Sequence, residues 1–254
     1  MPIKTIGHEI PFNFSSVKKA LAVNAHPDDA EFFAGGTIAQ LTKAGVEVTA
    51  LYLTSGDKGN YALVQDGLRK GHGSQHTTKE LVELRERDAK ASNDCLGIKE
   101  SIFLNMPDGG LVDLRSEMEE QICLLVRKLK PDLIFSFDPW KQYELHPDHR
   151  AIGYACLDAL LAAENTLFHP EQLTAKLHPH KVPHVLLYQT DNPNLKVDIS
   201  AEILKKINAV LAYSTQYLDP QATTKEITDY NAQLAVEANV KAKFIETFHY
   251  IPSL

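Results

Sequence analysis

Short apolar runs alternate with amphipathic stretches along this chain, and the order of the two predicts its elements. Residues 20–24 form a continuous apolar run of the kind a strand buried on both faces requires, and 36–44 follow with helical character until Gly45 stops them. A second strand is predicted over 46–53. Residues 54–75 are long, polar and rich in glycine, and a charged amphipathic helix follows over 79–96, closed by Gly97. Further on, the pattern predicts a strand at 101–104, a helix over 114–130 capped by Asp113, and a strand at 133–137 after Pro131. A helix over 147–163, a strand at 185–188, and helices over 202–211 and 229–243 complete the reading, with no internal repeat or low-complexity linker. Strands alternating with helices imply an α/β fold, a Rossmann-like three-layer sandwich with a mostly parallel sheet covered on both faces.

Composition narrows the function classes. At 254 residues with 44% hydrophobic content, the chain can bury one sizeable core, and a single domain over 1–254 is expected. The formal net charge is -7 and the 26 Lys and Arg residues are scattered, which argues against a nucleic-acid partner. No apolar run has the length of a signal peptide or a membrane span, so a cytoplasmic protein is expected. Cys95, Cys123 and Cys156 are far apart, form no C-x-x-C pair and fall in helical patterns, which reads as reduced, buried thiols.

In a parallel sheet the loops that follow the strands carry the chemistry. Two of these loops share an unusual string. His26-Pro27-Asp28-Asp29 follows the first strand and His146-Pro147-Asp148-His149 the fourth. Proline and a carboxylate suit the first turn of a helix, but capping alone does not call for histidines. Brought to one end of a sheet, the two strings supply imidazoles and carboxylates facing one crevice. Catalytic zinc sites commonly use three nitrogen or oxygen ligands, and the economical set here is His26, Asp29 and His149. Asp28 is then left beside the ion as a general base, His146 as a second titratable group for the oxyanion or the departing amine, and Asp148 to orient a histidine. Two imidazoles and a carboxylate also accept Fe2+ or Co2+ in place of Zn2+.

The run 25–31, continuing through Gly35-Gly36-Thr37-Ile38-Ala39, resembles the signature of the PIG-L or LmbE-like N-acetylglucosaminyl deacetylases. So do Thr54-Ser55-Gly56-Asp57-Lys58-Gly59, Arg85 with Leu96-Gly97, Pro107-Asp108-Gly109, His146-Pro147-Asp148-His149-Arg150 and Tyr213-Ser214-Thr215-Gln216. The resemblance implies a zinc-dependent deacetylase releasing acetate and a free amine from an N-acetylglucosamine-type sugar or conjugate. It gives His26, Asp29 and His149 to the metal, Asp28 the base role and His146 the acid or oxyanion role. Its alternatives are an amidase acting on a sugar-thiol conjugate, or a silent sugar- or nucleotide-binding domain. The expected partner is a small amino-sugar substrate, and the family makes a homo-oligomer an available state.

Arg85 and Asp57 are expected to contact substrate, and the glycine-rich stretch 57–75, with His72 and His76, to wall the site. Members often carry Arg-x-x-Glu where this chain has Arg85-Glu86-Arg87-Asp88. Some place a tyrosine where Glu144 stands here, with Tyr143 offset by one. His178, His180 and His184 read as a surface loop, and Gly35-Gly36 as a close approach of helix to sheet.

Overall fold

Five of the six residues of the first strand, β1 (Lys19–Asn24), are buried, as an apolar run covered by helices on both faces must be. β1 pairs in parallel with β2 (Glu47–Thr54) on one side and with β4 (Leu133–Phe137) on the other. β3 (Glu100–Met106), β5 (His184–Tyr188), β6 (Leu195–Asp198) and β7 (Ile245–Pro252) complete a seven-stranded sheet in the order β3-β2-β1-β4-β5-β7-β6. Only β7 breaks the parallel direction, pairing antiparallel with both β5 and β6. This computed structural model describes residues 3, 5–6, 12–59, 78–174 and 176–252.

The helices are α1 (Asp29–Lys43), α2 (Thr78–Leu96), α3 (Arg115–Leu129), α4 (Pro147–Glu164), α5 (Ile203–Leu211) and α6 (Pro220–Glu237). α3 packs on α4, while α1, α2 and α5 pack on one another, giving the two outer layers. From β1 the chain steps through β2 to β3, then returns to β4 on the other flank of β1. The order therefore reverses between β1 and β4. In a doubly wound sheet that reversal leaves a crevice outside the strands' carboxyl ends. Ala20, Leu21 and Ala22 pair with Leu133, Ile134 and Phe135, so the two strands end level and their following loops face each other.

Two buried polar assemblies hold the helices to this frame. Glu246 of β7 accepts from the backbone N–H groups of Gly36 (2.8 Å) and Thr37 (2.7 Å) and from the Thr37 hydroxyl (2.6 Å), with Lys206 of α5 at 2.8 Å balancing its charge. A Cβ on Gly36 would lie 2.6 Å from Cβ of Ile199, so only glycine permits this approach of α1, as the Gly-Gly pair suggests. Arg127, fully buried, donates to the carbonyls of Ala162 (2.8 Å), Asn165 (2.9 Å) and Phe168 (2.8 Å), acceptors at the end of α4 and in the segment that follows it.

Several boundaries differ from the sequence pattern. α1 begins at Asp29, seven residues before the predicted start, because close packing of Gly35 on Lys206 and of Gly36 on Ile199 keeps both glycines inside a helix that isolated propensity would begin later. α6 runs over Pro220–Glu237 rather than 229–243, with the Asp219 carboxylate capping Gln221 and Ala222 at 3.0 Å each. Asp113 lies in a 3-10 turn, Leu111–Leu114, and is not the cap of α3. The pattern missed β6 and β7 altogether. His184 opens β5 against Phe12 and Tyr250, and only His178 of its cluster is exposed. Cys123 and Cys156 are buried and Cys95 half-buried, all unpaired. Among the described residues no helix is long and apolar enough to cross a membrane.

Candidate active site

The loop after β1 turns into α1 within four residues. The backbone N–H of His26 donates to Asp29 Oδ2 at 2.7 Å, closing the turn. Asp28 sits in the left-handed region at φ 104°, a conformation costly for a side-chain-bearing residue and kept where surroundings over-determine it. Its consequence is a parting of the two carboxylates. Asp29 points back across the crevice, with Oδ2 3.6 Å from His26 Nδ1 and Oδ1 3.5 Å from His149 Nε2. Asp28 turns toward Arg85, its Oδ2 3.6 Å from Nη1.

The loop after β4 delivers the other two imidazoles from the first turn of α4. His149 is sandwiched between Phe137 (ring centroids 3.9 Å) and His146 (4.3 Å), and His146 lies 4.6 Å from the His26 ring. A nitrogen of each of His26, His146 and His149 can be chosen so that all three lie within 4.8 Å of one another. Asp148 lies against a histidine, and that histidine is His26 of the other motif. Fully buried, it takes the N–H groups of Gly109 (2.7 Å) and Leu111 (3.1 Å) and lies 3.3 Å from His26 Nε2. Asp108, 3.4 Å from the same nitrogen, is a site residue whose role the motif reading missed; its place in a Pro-Asp-Gly turn just after a strand was the available signal.

Electrostatics separates these acids. Burial opposes ionisation of Asp29, but His149 and His26 outweigh it and hold the carboxyl far below the usual carboxylate range. Burial raises Asp28 to about 6 against the pull of Arg85, with neighbouring Asp29 adding to the rise. His146 is pushed down by burial and by the two other imidazoles, which favours its neutral form. His26 goes the other way: burial penalises its charge, yet Asp108, Asp148 and Asp29 raise it well above an ordinary histidine.

Arg85 is buried in the crevice wall, not on a solvated helix face. Nη2 donates to the Pro27 carbonyl at 2.7 Å, while Nε and Nη1 are buried without a hydrogen-bond partner among the described residues. Gly56, at φ +67°, lets the guanidinium pass, since a Cβ there would stand 2.6 Å from Nε. Asp88 does not face substrate: it holds Ser214 Oγ at 3.1 Å and so fixes the segment that brings Gln216 to the crevice. Asp57 accepts from the Asp108 N–H at 3.3 Å, supporting that turn from outside the lining. Tyr143 is 92% exposed, while Glu144 is turned inward. Of the stretch 57–75, residues 60–75 lie outside the described residues, as do His72 and His76.

The crevice holds about 420 Å³ between Asp28, Asp29, Arg85, His146, His149 and Gln216. Its donors fit a divalent ion of the zinc type, which takes imidazole nitrogen and carboxylate oxygen: an acid held ionised between two histidines, with Nδ1 of His26 and Nε2 of His149 turned toward it.

The family model described as "PIG-L: GlcNAc-PI de-N-acetylase" matches residues 21–160. The chain is 37% identical to the diacetylchitobiose deacetylase of Thermococcus kodakarensis over 204 residues, covering 80% of this chain and 72% of that protein. It is 28% identical to a probable N-acetyl-alpha-D-glucosaminyl L-malate deacetylase 2 of Bacillus anthracis, covering 79% of this chain and 82% of that one. Among solved structures, N,N'-diacetylchitobiose deacetylase from Pyrococcus horikoshii superposes with a TM-score of 0.81 at 28% identity, covering 94% of this chain and 85% of that chain.

Proposed function

The chain belongs to the PIG-L family, and we propose on that footing that it is a zinc-dependent deacetylase that hydrolyses the N-acetyl group of an N-acetylglucosamine-type sugar or conjugate. The observation that carries the reading is the Asp29 carboxylate held between His26 and His149 by loops 120 residues apart in sequence, with Asp28 turned away from them. Metal dependence is common to the family, and His26, Asp29 and His149 would hold the ion. When bound, a divalent ion of this kind lowers the pKa of water beside it and polarises an amide carbonyl.

The chain's own residues do the rest. Asp28, ionised at neutral pH and not needed as a ligand, takes the proton from the attacking water. His146, kept neutral, donates an N–H to the carbonyl oxygen as charge gathers there. The C–N bond then breaks, and the proton held by Asp28 passes to the amine nitrogen. Arg85, in the crevice wall beside Asp28, brings a positive charge to a polar group of the substrate. The three unpaired cysteines suit a reducing, cytoplasmic setting.

The test is to incubate the purified protein with a panel of N-acetylglucosamine conjugates, with and without chelator, and to assay free primary amine and acetate. Stoichiometric amine and acetate, abolished by chelator and restored by zinc, is the expected result. Full turnover in chelator, or amine without acetate, would refute it.

A further inference from the structure

We propose that Glu144 is a positioning residue that fixes the proton of His149 on Nδ1, so that Nε2 presents its lone pair beside Asp29; the inference rests on the metal-dependent reading above. Glu144 ends the loop leading to the second histidine motif, and its side chain is 11% exposed. Its Oε1 accepts the backbone N–H of His146 at 2.8 Å, and Arg150 donates to its backbone carbonyl, so the residue is held at both its side chain and its main chain. That same Oε1 lies 3.5 Å from Nδ1 of His149.

The His149 ring has its two faces covered, by Phe137 at 14° and His146 at 17° from parallel. Stacking sets the plane of a ring but does not decide which nitrogen carries the hydrogen. A neutral imidazole has one donor and one acceptor nitrogen, and a lone pair at Nε2 requires the hydrogen on Nδ1. Nδ1 is buried and makes no formed hydrogen bond, and a buried N–H left so is costly. At 3.5 Å the contact with Glu144 stands a few tenths of an ångström beyond bonding reach, a looseness common before a site is loaded. His26 follows the same plan: its nitrogen away from Asp29 faces Asp148 and Asp108. Each imidazole that flanks Asp29 is thus backed by a carboxylate on its far side, and for His149 that carboxylate is Glu144.

Zinc affinity by competition with a chromophoric chelator tests this without reference to turnover. Glu144→Ala removes the acceptor and is expected to weaken zinc binding about 10- to 100-fold, the usual effect of losing a group that supports a ligand histidine. Glu144→Gln keeps an acceptor oxygen at the same reach and is expected to stay within about threefold of wild type, a rescue that a purely electrostatic role would not give. Melting of the metal-free proteins checks that both variants fold. If Glu144→Ala does not fold, Glu144→Asp, which withdraws the carboxylate by a methylene, takes its place with the same expected loss. Wild-type affinity in the alanine variant, or equal losses in alanine and glutamine, overturns the proposal. Failure of the deacetylase reading would show separately, as wild-type protein that binds zinc yet releases no amine.

Discussion

Gly56 and Gly45 offer a controlled measurement of what Arg85 contributes. Both have positive φ, +67° and +91°, so an alanine at either meets the same backbone cost, about 1–2 kcal/mol for an L residue in the left-handed region. They differ in what the new methyl meets. At Gly45, between α1 and β2 at the end of the sheet away from the crevice, a Cβ has nothing within 4 Å. At Gly56 it would stand 2.6 Å from Nε and 2.7 Å from Nη2 of Arg85, so the guanidinium must move. That motion breaks the 2.7 Å bond from Nη2 to the Pro27 carbonyl and shifts the guanidinium from its place in the crevice wall. A charge-assisted hydrogen bond to substrate is worth about 1.5–3 kcal/mol, or a 10- to 150-fold loss of kcat/KM. Gly45→Ala is therefore expected to melt about 2–8 °C lower while keeping wild-type kcat/KM. Gly56→Ala should melt at least as low and lose kcat/KM 10-fold or more, chiefly through KM. Thermal melts and steady-state amine release on the two variants decide it. If Gly56→Ala matches Gly45→Ala in kcat/KM, Arg85 does not contact substrate.

The two adjacent carboxylates should fail differently: Asp28→Asn is expected to keep its zinc and lose about 100- to 10,000-fold in kcat, whereas Asp29→Asn loses the metal itself, as elemental analysis of both proteins will read. The histidines divide likewise, His149→Ala giving metal-poor protein and His146→Ala holding zinc but losing about 3 kcal/mol of transition-state stabilisation in kcat; equal metal loss in both would reverse the assignment. Far from the site, Lys206→Met strands the buried Glu246 carboxylate and should cost about 3–5 kcal/mol in denaturant unfolding, with a second change, Glu246→Gln, recovering a large part. An unchanged unfolding midpoint in Lys206→Met would mean that Glu246 is not ionised in the fold.

The sequence by itself determined the layout on which the site depends. Strand-length segments at 20–24, 46–53 and 133–137, mostly apolar and set between helical stretches, imply a parallel sheet covered on both faces. Two His-Pro-Asp strings in the loops that follow the first and fourth strands put the candidate ligands at one end of it. What pattern could not carry were contacts whose meaning lies in a partner far along the chain. β6 is short, β7 carries polar residues among its apolar ones, and both are fixed as strands by their mutual pairing and that of β7 with β5. Helix pattern alone leaves Arg85 one charge among several on an amphipathic helix, and the resemblance made it a substrate contact; its burial in the crevice wall, past the φ +67° turn at Gly56, is a matter of tertiary structure. Asp148 belongs to the second histidine motif but backs the histidine of the first, because the reversal of strand order between β1 and β4 sets the two loops face to face. Residue types and local spacing settle which chemistry is available, since they act within a few residues. Which carboxylate serves which imidazole is a matter of ångströms between segments more than a hundred residues apart, and tertiary packing alone decides it.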